Sequence, residues 1–385
     1  MTRKKLLWLC SWYPSGTDPF NGDFIQRHAR AAALFNDIYV IYVAADVQGK
    51  SGGSRSEIIN QGGLTEHILY FKKSTSIVGR LLAHFRWSVL FKKAIRAYIR
   101  EKGIPDLVHV QVPMRAGLQA MWMKRKYKVP YLVTEHWGIY NEVEVLNYQG
   151  RSALFKKYTK EIFRGAISFI SVSHYLADGV NRLVLKRDYQ VIPNVVDTLL
   201  FYFKPGPAQP FRFIHVSNMV PLKNTEGILR AFKQVLEEMN TAELVLVGNP
   251  DDSLARYATS IGLPADRVFF RGELSYPQVA AEMQTAASLV LFSNIENSPC
   301  VIGEALCCGL PVIATRTGGI PELLNSENGV LVTPGSVDEL IAAMRQLMVN
   351  YAQYDREKIA ETACGKFSYE VAGRKMDEIY TRVMA

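Results

Sequence analysis

Five cysteines in 385 residues leave little scope for thiol-based architecture. They stand at Cys10, Cys300, Cys307, Cys308 and Cys364, an odd number with no metal-ligand spacing. That argues against a disulfide framework and against a cysteine metal centre. Cys307 and Cys308 are expected as small core residues rather than reactive thiols. Long apolar runs are also missing: the longest, Ile38–Ala45, is far too short to cross a bilayer. The basic start is followed by an apolar stretch that Ser11 cuts short, too early for a secretory leader. It is expected to be the first buried strand of a cytoplasmic protein. There is no internal repeat, no low-complexity tract and no Walker-type loop, so a P-loop nucleotidase is not expected.

Hydrophobic residues make up 48% and charged residues 21%, the balance of an ordinary folded protein with room for two cores. Charge is uneven. Of the net +9, residues 1–197 carry +14 (29 Lys+Arg against 15 Asp+Glu) and residues 198–385 carry −5 (16 against 21). The basic residues of the first half mix with aromatic ones from His84 to Arg100, with further clusters at Lys124–Lys128 and Lys156-Lys157. An anionic membrane surface is one partner that pattern fits, and an ordinary core-facing helix with a solvated side is the other. Nucleic acid is not expected, because no recognition motif accompanies the charge.

Short apolar runs alternate with longer helical patterns through the whole chain. They fall at Leu6–Cys10, Ile38–Val43, Leu107–Val110, Tyr131–Thr134, Ile167–Val172 and Gln190–Ile192. Six more follow at Phe211–Val216, Leu244–Val247, Val268–Phe270, Leu289–Phe292, Val312–Ala314 and Val330–Val332. Runs buried on both faces and separated by helices indicate parallel sheets in an α/β architecture. The Pro- and Gly-rich stretch Phe203–Pro210 is the expected linker. The domains expected are 1–200 and 201–365, with a final helix over 366–385. Two such domains would place their strand-end loops in a shared cleft.

The densest chemistry lies in Ser293–Glu322 (SNIENSPCVIGEALCCGLPVIATRTGGIPE). Ser298 is a good N-cap, Pro299 suits the first helical position and Gly309 stops the helix, predicting a helix from Pro299 to Cys308. Its N-terminus offers N–H groups and partial positive charge to a phosphate. Glu296 precedes it and Glu304 lies within it, so a carboxylate on each side could accept hydrogen bonds from sugar hydroxyls. By spacing alone, an exposed loop glutamate and a solvated helix glutamate fit equally well.

The whole string resembles the donor-binding signature of retaining glycosyltransferase family 4: Glu-x7-Glu into a helix, a small-residue turn, Leu-Pro-Val-Ile-Ala, Gly-Gly and Pro-Glu. The resemblance covers nearly the whole chain, densest from His215 to Val332 and loosest from Gln48 to Arg100. It implies two Rossmann-like domains facing a central cleft, the GT-B arrangement, with the C-terminal helix crossing back to the N-terminal domain. It implies transfer of a sugar from a nucleoside-diphosphate sugar to an acceptor hydroxyl with retention, no cofactor and no metal. No Asp-x-Asp motif is present.

Carried over by that resemblance, Lys223 binds the donor diphosphate and Glu296 the transferred sugar. Glu304 accepts from the ribose, and His136, after the strand at Tyr131, contacts the transferred sugar. The backbone after Gly272 holds the base. Gly22, in the loop after the first strand, could let backbone approach a phosphate, or serve as a plain turn glycine. Two positions depart from the pattern. Asn218 stands where Arg is usual, so that charge must come from elsewhere or be replaced by a neutral amide. Pro299 replaces a common Gly and lacks an N–H, which leaves the amides of Cys300 and Val301. The acceptor expected is a lipid-linked or envelope glycan. The rival readings are a non-catalytic sugar-nucleotide or glycan-binding protein of this fold and a nucleotide-sugar epimerase or phosphorylase.

Overall fold

The computed structural model describes residues 3–46, 56–72, 77–141, 147–206, 210–248 and 252–385. The chain forms two compact units, Met1–Val195 with Tyr369–Ala385, and Val196–Ser368.

Among the described residues of the first unit, eight strands form one sheet: β1 (Lys5–Cys10), β2 (Asp37–Asp46), β3 (Ser56–Gln61), β4 (Leu64–Lys72), β5 (Leu107–Gln111), β6 (Tyr131–Glu135), β7 (Phe169–Ser171) and β8 (Gln190–Val191). Their order is β3-β4-β2-β1-β5-β6-β7-β8. Alternate residues of β1 enter opposite cores: Leu7 and Leu9 one, Leu6, Trp8 and Cys10 the other. Both faces are therefore covered, which is why these strands read as unbroken apolar runs. The chain moves from β1 toward β2 and β4, then crosses to β5 on the other side of β1. The C-terminal ends of β1 and β5 thus flank a topological switch point, where open α/β sheets bind ligands.

The expectation of purely parallel pairing is corrected at one edge. Strand β3 pairs antiparallel with β4, Ser56 opposite Leu69 and Gln61 opposite Leu64. The two are joined by Gly62-Gly63, with Gly62 at φ +58, the left-handed backbone that a two-residue hairpin turn requires.

The second unit holds a six-stranded parallel sheet: β9 (Arg212–Val216), β10 (Glu243–Val247), β11 (Val268–Gly272), β12 (Ser288–Leu291), β13 (Val312–Thr315) and β14 (Gly329–Val332). The order is β11-β10-β9-β12-β13-β14, so its switch point lies between β9 and β12. Ile214, Val245 and Leu289 enter one core, Phe213, Leu244 and Val290 the other.

The division between units differs from the sequence expectation. The chain leaves the first unit at Val195 and returns to it at Tyr369. The stretch 203–210 therefore lies within the second unit, and 207–209 of it falls outside the described residues. Val196 pairs with Ser368 as an isolated bridge, tying the two crossing strands together inside the second unit. The final helix, Tyr369–Met384, belongs to the first unit, where a Cβ on Gly373 would come within 2.2 Å of the Ala31 carbonyl. Its neighbour, the helix Asp23–Ala33, can approach that closely only because position 373 has no side chain.

Candidate functional site

In the second unit the strand ends converge on one loop, residues 293–299, at the switch point after β12. Asn294 N–H donates to the Leu222 carbonyl at 2.8 Å, joining this loop to the one after β9. From the other side, the Thr315 hydroxyl donates to the Ser293 carbonyl at 2.6 Å and the Thr317 hydroxyl to the Asn294 carbonyl at 3.1 Å. Gly319 N–H donates to the Glu296 carbonyl at 2.9 Å. Gly318 has φ +54, and a Cβ there would lie 1.8 Å from that same carbonyl. The Gly-Gly pair is thus required by the close approach of two backbones around Glu296.

The expected residues Lys223 and Glu296 meet directly. Lys223 Nζ donates to Glu296 Oε1 at 2.5 Å, and the Ser293 hydroxyl donates to the same oxygen at 2.8 Å. Their side chains are 22% and 11% exposed, so the pair is partly shielded while still reachable from solvent. Lys223 is placed by a short turn, Pro221–Lys223, whose successor Asn224 adopts φ +49 and begins the helix Thr225–Glu238. Ser217 anchors the same loop: its hydroxyl meets His215 Nε2 at 2.7 Å and accepts from Met219 N–H at 3.0 Å. Burial drives the His215 pKa down to about 4, so this imidazole is neutral. Asn218, in the same loop, is exposed.

The helix after Glu296 runs Cys300–Cys307, one residue shorter at each end than expected. Pro299, at φ −68 and ψ 120, is its N-cap, which places Ser298 outside the helix, not at the cap. An extended ψ at Pro299 leaves Cys300 as the first helical residue, and the first intrahelical bond runs from Ile302 N–H to the Pro299 carbonyl at 3.3 Å. Cys300 and Val301, both half-buried, form the start of the first turn, where backbone amides lack partners one turn earlier in the helix. Ser298 is buried, and Glu304, one turn further, is only 4% exposed. A carboxylate so deep is not a solvated helix glutamate, which removes the bland reading of that position. Gly272 closes β11 at φ +69, and its carbonyl accepts from Gly248 N–H at 2.9 Å.

His136 and Gly22 belong to the first unit. His136 follows β6, with its ring centroid 5.0 Å from Phe24 and 5.3 Å from His28. Its Nε2 lies 2.9 Å from Gln111 Oε1, at the end of β5. Burial, then repulsion from His28 and His109, holds its pKa well below 6.5. Gly22, at φ +72, caps the helix Asp23–Ala33; a Cβ there would lie 2.8 Å from the Trp12 carbonyl carbon. Its absence of side chain is thereby explained by packing against residues 12 and 13.

Sequence reasoning missed Glu135 and Gln111. Glu135 is fully buried, accepts from the His136 and Trp137 amides at 2.9 Å each and from the Tyr140 hydroxyl at 2.7 Å. Burial outweighs these bonds and raises its pKa to about 7. It fixes the turn that carries His136. No spacing signalled either residue, since each reads as one polar position at a strand end.

A cavity of about 650 Å³ in the second unit is lined by Leu306, Glu322, Asn328, Tyr354, Lys358 and Lys366, among others. None of the expected donor-binding residues lines it, so the candidate site rests on the strand-end geometry and not on this cavity.

These findings meet the comparisons with known proteins on both units. Residues 38–199 match the family described as Glycosyltransferase Family 4, and residues 210–350 the one described as Glycosyl transferases group 1. The chain is 29% identical over 234 residues to the N-acetyl-alpha-D-glucosaminyl L-malate synthase of Bacillus anthracis, covering 56% of this chain and 59% of that one. It is 26% identical over 309 residues to the MMP alpha-(1->4)-mannosyltransferase of Mycolicibacterium hassiacum, covering 76% and 74%. In fold it is similar to Anabaena Alr3699/HepE, solved in complex with UDP, with a TM-score of 0.75, 20% identity and coverage of 98% and 100%. With one family match on each unit, two Rossmann-like sheets of GT-B type and the Glu296–Glu304 signature in the second unit, the chain belongs to glycosyltransferase family 4.

Proposed function

We propose that the protein is a retaining, metal-independent glycosyltransferase that moves a sugar from a nucleoside-diphosphate donor to an acceptor hydroxyl. The observation that carries this reading is the Lys223–Glu296 pair standing in the loop before the helix Cys300–Cys307, with Glu304 buried within that helix. Bond cleavage at the anomeric carbon builds negative charge on the leaving diphosphate. Stabilising that charge with preorganised donors is the protein's main task. Lys223 and the amides of Cys300 and Val301 serve the diphosphate, Glu304 the ribose, Glu296 the transferred sugar, and the backbone after Gly272 the base. His136 completes the sugar contacts. The acceptor oxygen forms its bond to the anomeric carbon on the face the diphosphate leaves, and the departing phosphate oxygen takes the acceptor proton. The solved UDP complex of a protein with this fold supports a nucleotide-sugar donor.

The acceptor in this reading is a lipid-linked or envelope glycan met at the inner face of a membrane. No described helix is long and apolar enough to cross one. The helix Ile77–Lys102 carries no acidic residue before Glu101. On it Phe85 and Val89 are 66% and 47% exposed. Beside it Trp122 is ringed by Lys92, Arg96 and Lys126 at 5.5, 5.6 and 5.6 Å from its ring centroid. Exposed apolar groups with cations around an indole suit an anionic interface.

The deciding experiment incubates the protein with UDP- and GDP-sugars, with EDTA present, and with lipid-linked acceptors, and reads the anomeric configuration of any product by NMR. Transfer with retention supports the reading. Nucleotide binding without transfer to any acceptor would make the protein a binding module, and an inverted or metal-dependent product would refute the mechanism.

A further inference from the structure

Cys307, Cys308 and Cys364 lie where two helices of the second unit pack together. The helix Cys300–Cys307 ends in Cys307, with Cys308 as its cap, and the helix Arg356–Phe367 carries Cys364. Two close approaches set their register. A Cβ on Gly303 would lie 3.5 Å from the Phe367 ring, and one on Gly309, just past the first helix, 2.6 Å from the Arg356 carbonyl oxygen. Arg356 Nε also donates to the Gly309 carbonyl at 3.0 Å. The two helices therefore run antiparallel. Cys307, one turn after Gly303, faces Cys364, one turn before Phe367. Their thiols share a hydrogen bond.

The two sulfurs differ in their surroundings. Cys307 is fully buried, the core residue its sequence context predicts, whereas Cys364 is only half-buried. A thiolate deep in the core is costly, and the Glu304 carboxylate, one turn before Cys307, repels negative charge there. Cys307 therefore keeps its proton and donates it to Cys364. That bond lowers the Cys364 pKa to about 7, against the opposing pull of its own partial burial. A reachable thiol partly ionised at neutral pH, with a second thiol in contact, is the arrangement of a peroxide-sensitive cysteine and its resolving partner. The odd cysteine count argues against a framework of permanent bridges and has no bearing on one reversible pair.

We propose that Cys364 is a site of oxidation by hydroperoxides and that Cys307 resolves it, forming a reversible bridge between the two helices. In the first step the Cys364 thiolate attacks one oxygen of hydrogen peroxide. The O–O bond breaks, hydroxide leaves, and Cys364 becomes a sulfenic acid. In the second step the Cys307 sulfur displaces that oxygen from Cys364. The S–S bond forms, the S–O bond breaks, and the Cys307 proton departs with the oxygen as water. The two sulfurs lose two electrons in all, and the peroxide is reduced to water and hydroxide. A thiol reductant reverses the bridge. It ties the helix that carries Glu304 to its neighbour, and it stands independently of the reaction proposed above for the donor site.

The test uses the full chain, reduced, exposed to hydrogen peroxide, blocked with iodoacetamide and mapped by peptide mass spectrometry. A Cys307–Cys364 bridge should appear, lighter than the paired thiols by the two hydrogens lost, and should disappear on treatment with dithiothreitol. Cys307→Ser keeps a donor for Cys364 but has no resolving sulfur, so dimedone should trap the sulfenic acid at position 364. Cys307→Ala removes the donor as well. Alkylation of Cys364 at neutral pH should then slow by about tenfold, the loss of thiolate when a thiol returns to its ordinary pKa. The wild-type map decides on its own if either variant fails to fold. Recovery of Cys307 and Cys364 as thiols after peroxide treatment overturns the proposal. So does a bridge that joins Cys364 to Cys308 instead.

Discussion

Lys223 Nζ lies 2.5 Å from Glu296 Oε1, so the two side chains expected to hold opposite parts of the donor neutralise each other in the ligand-free protein. A partly shielded pair of this kind leaves neither charge stranded before substrate arrives. On the proposed reading, an arriving diphosphate gives Lys223 a stronger partner and releases Glu296 to a sugar hydroxyl, with the Ser293 hydroxyl, 2.8 Å from Glu296 Oε1, keeping it oriented. Lys223→Ala should therefore lower kcat by roughly 100-fold or more, the loss seen when a transition-state donor is removed. Glu296→Gln should raise affinity for the free nucleoside diphosphate, since Lys223 loses its competitor, while kcat still falls. Paired titration calorimetry and steady-state kinetics separate these two effects; equal nucleotide affinity in Glu296→Gln and wild type would contradict the exchange.

Glu304 is only 4% exposed, which makes its role testable by shape as well as by charge. Glu304→Gln keeps the volume and one carbonyl acceptor, whereas Glu304→Ala removes both acceptors and leaves a void. Nucleotide binding measured by calorimetry without added metal should weaken about tenfold for Gln and more for Ala, on the scale of one to two hydrogen bonds to a charged acceptor. A folded Glu304→Ala protein that binds nucleotide as tightly as wild type would remove this residue from the donor site.

Gly318 has a different kind of necessity. At φ +54, with a Cβ position 1.8 Å from the Glu296 carbonyl, no side chain fits without moving the loop that holds Glu296. Gly318→Ala should cost roughly 2 kcal/mol or more in stability of the second unit. It should reduce kcat more than Gly335→Ala, a control at φ +80 with open space around its Cβ position. Parallel urea melts and turnover assays decide between a local loop effect and a general one.

What could be read in the sequence follows from what leaves a one-dimensional trace. Strands covered on both faces, such as β1 and β13, appear as apolar runs. The helix after Glu296 is legible because proline and glycine punctuate both of its ends. Strand β3 (SEIINQ) is mostly exposed and lies at the sheet edge, so it has no apolar run; Gly62-Gly63 was its one available signal. The helix starts one residue later than expected because Pro299 takes an extended ψ. Gln111 leaves no motif in the sequence; its contact with His136 comes from a fold that brings positions 111 and 136 together.

The basic face of the first unit predicts salt-sensitive membrane binding. Wild type should sediment with vesicles containing phosphatidylglycerol and not with phosphatidylcholine alone. The combined change Lys92→Glu, Arg96→Glu and Lys126→Glu reverses three charges around Trp122. At about 1 kcal/mol per basic residue near the surface, even neutralising three should weaken binding by two orders of magnitude. Phe85→Ser should weaken it with little effect on salt dependence. Vesicle binding that persists in the triple variant would separate this face from any membrane role.

Stability against pH combines groups of opposite sign, and the direction can be worked out. Burial lowers the pKa of His28 and His215 to about 4, and holds His109 and His136 well below 6.5. These imidazoles are neutral in the folded chain but charge below about 6.5 once unfolded. Unfolding then takes up protons, so their contribution is complete above 6.5 and is lost as pH falls toward 4. Glu135, raised to about 7 by burial, acts oppositely: between 4.5 and 7 it is protonated when folded and ionised when unfolded. Its contribution is present below 4.5 and lost as pH rises through 7. Four imidazoles outweigh one carboxyl, so the Tm should fall from pH 7 to pH 4.5. Glu135→Gln keeps an acceptor for the two backbone amides but removes the opposing titration, so its Tm should fall more steeply over the same interval. Scanning calorimetry of both proteins checks the sign, and a shallower slope in Glu135→Gln would show that this carboxyl is already ionised in the folded chain.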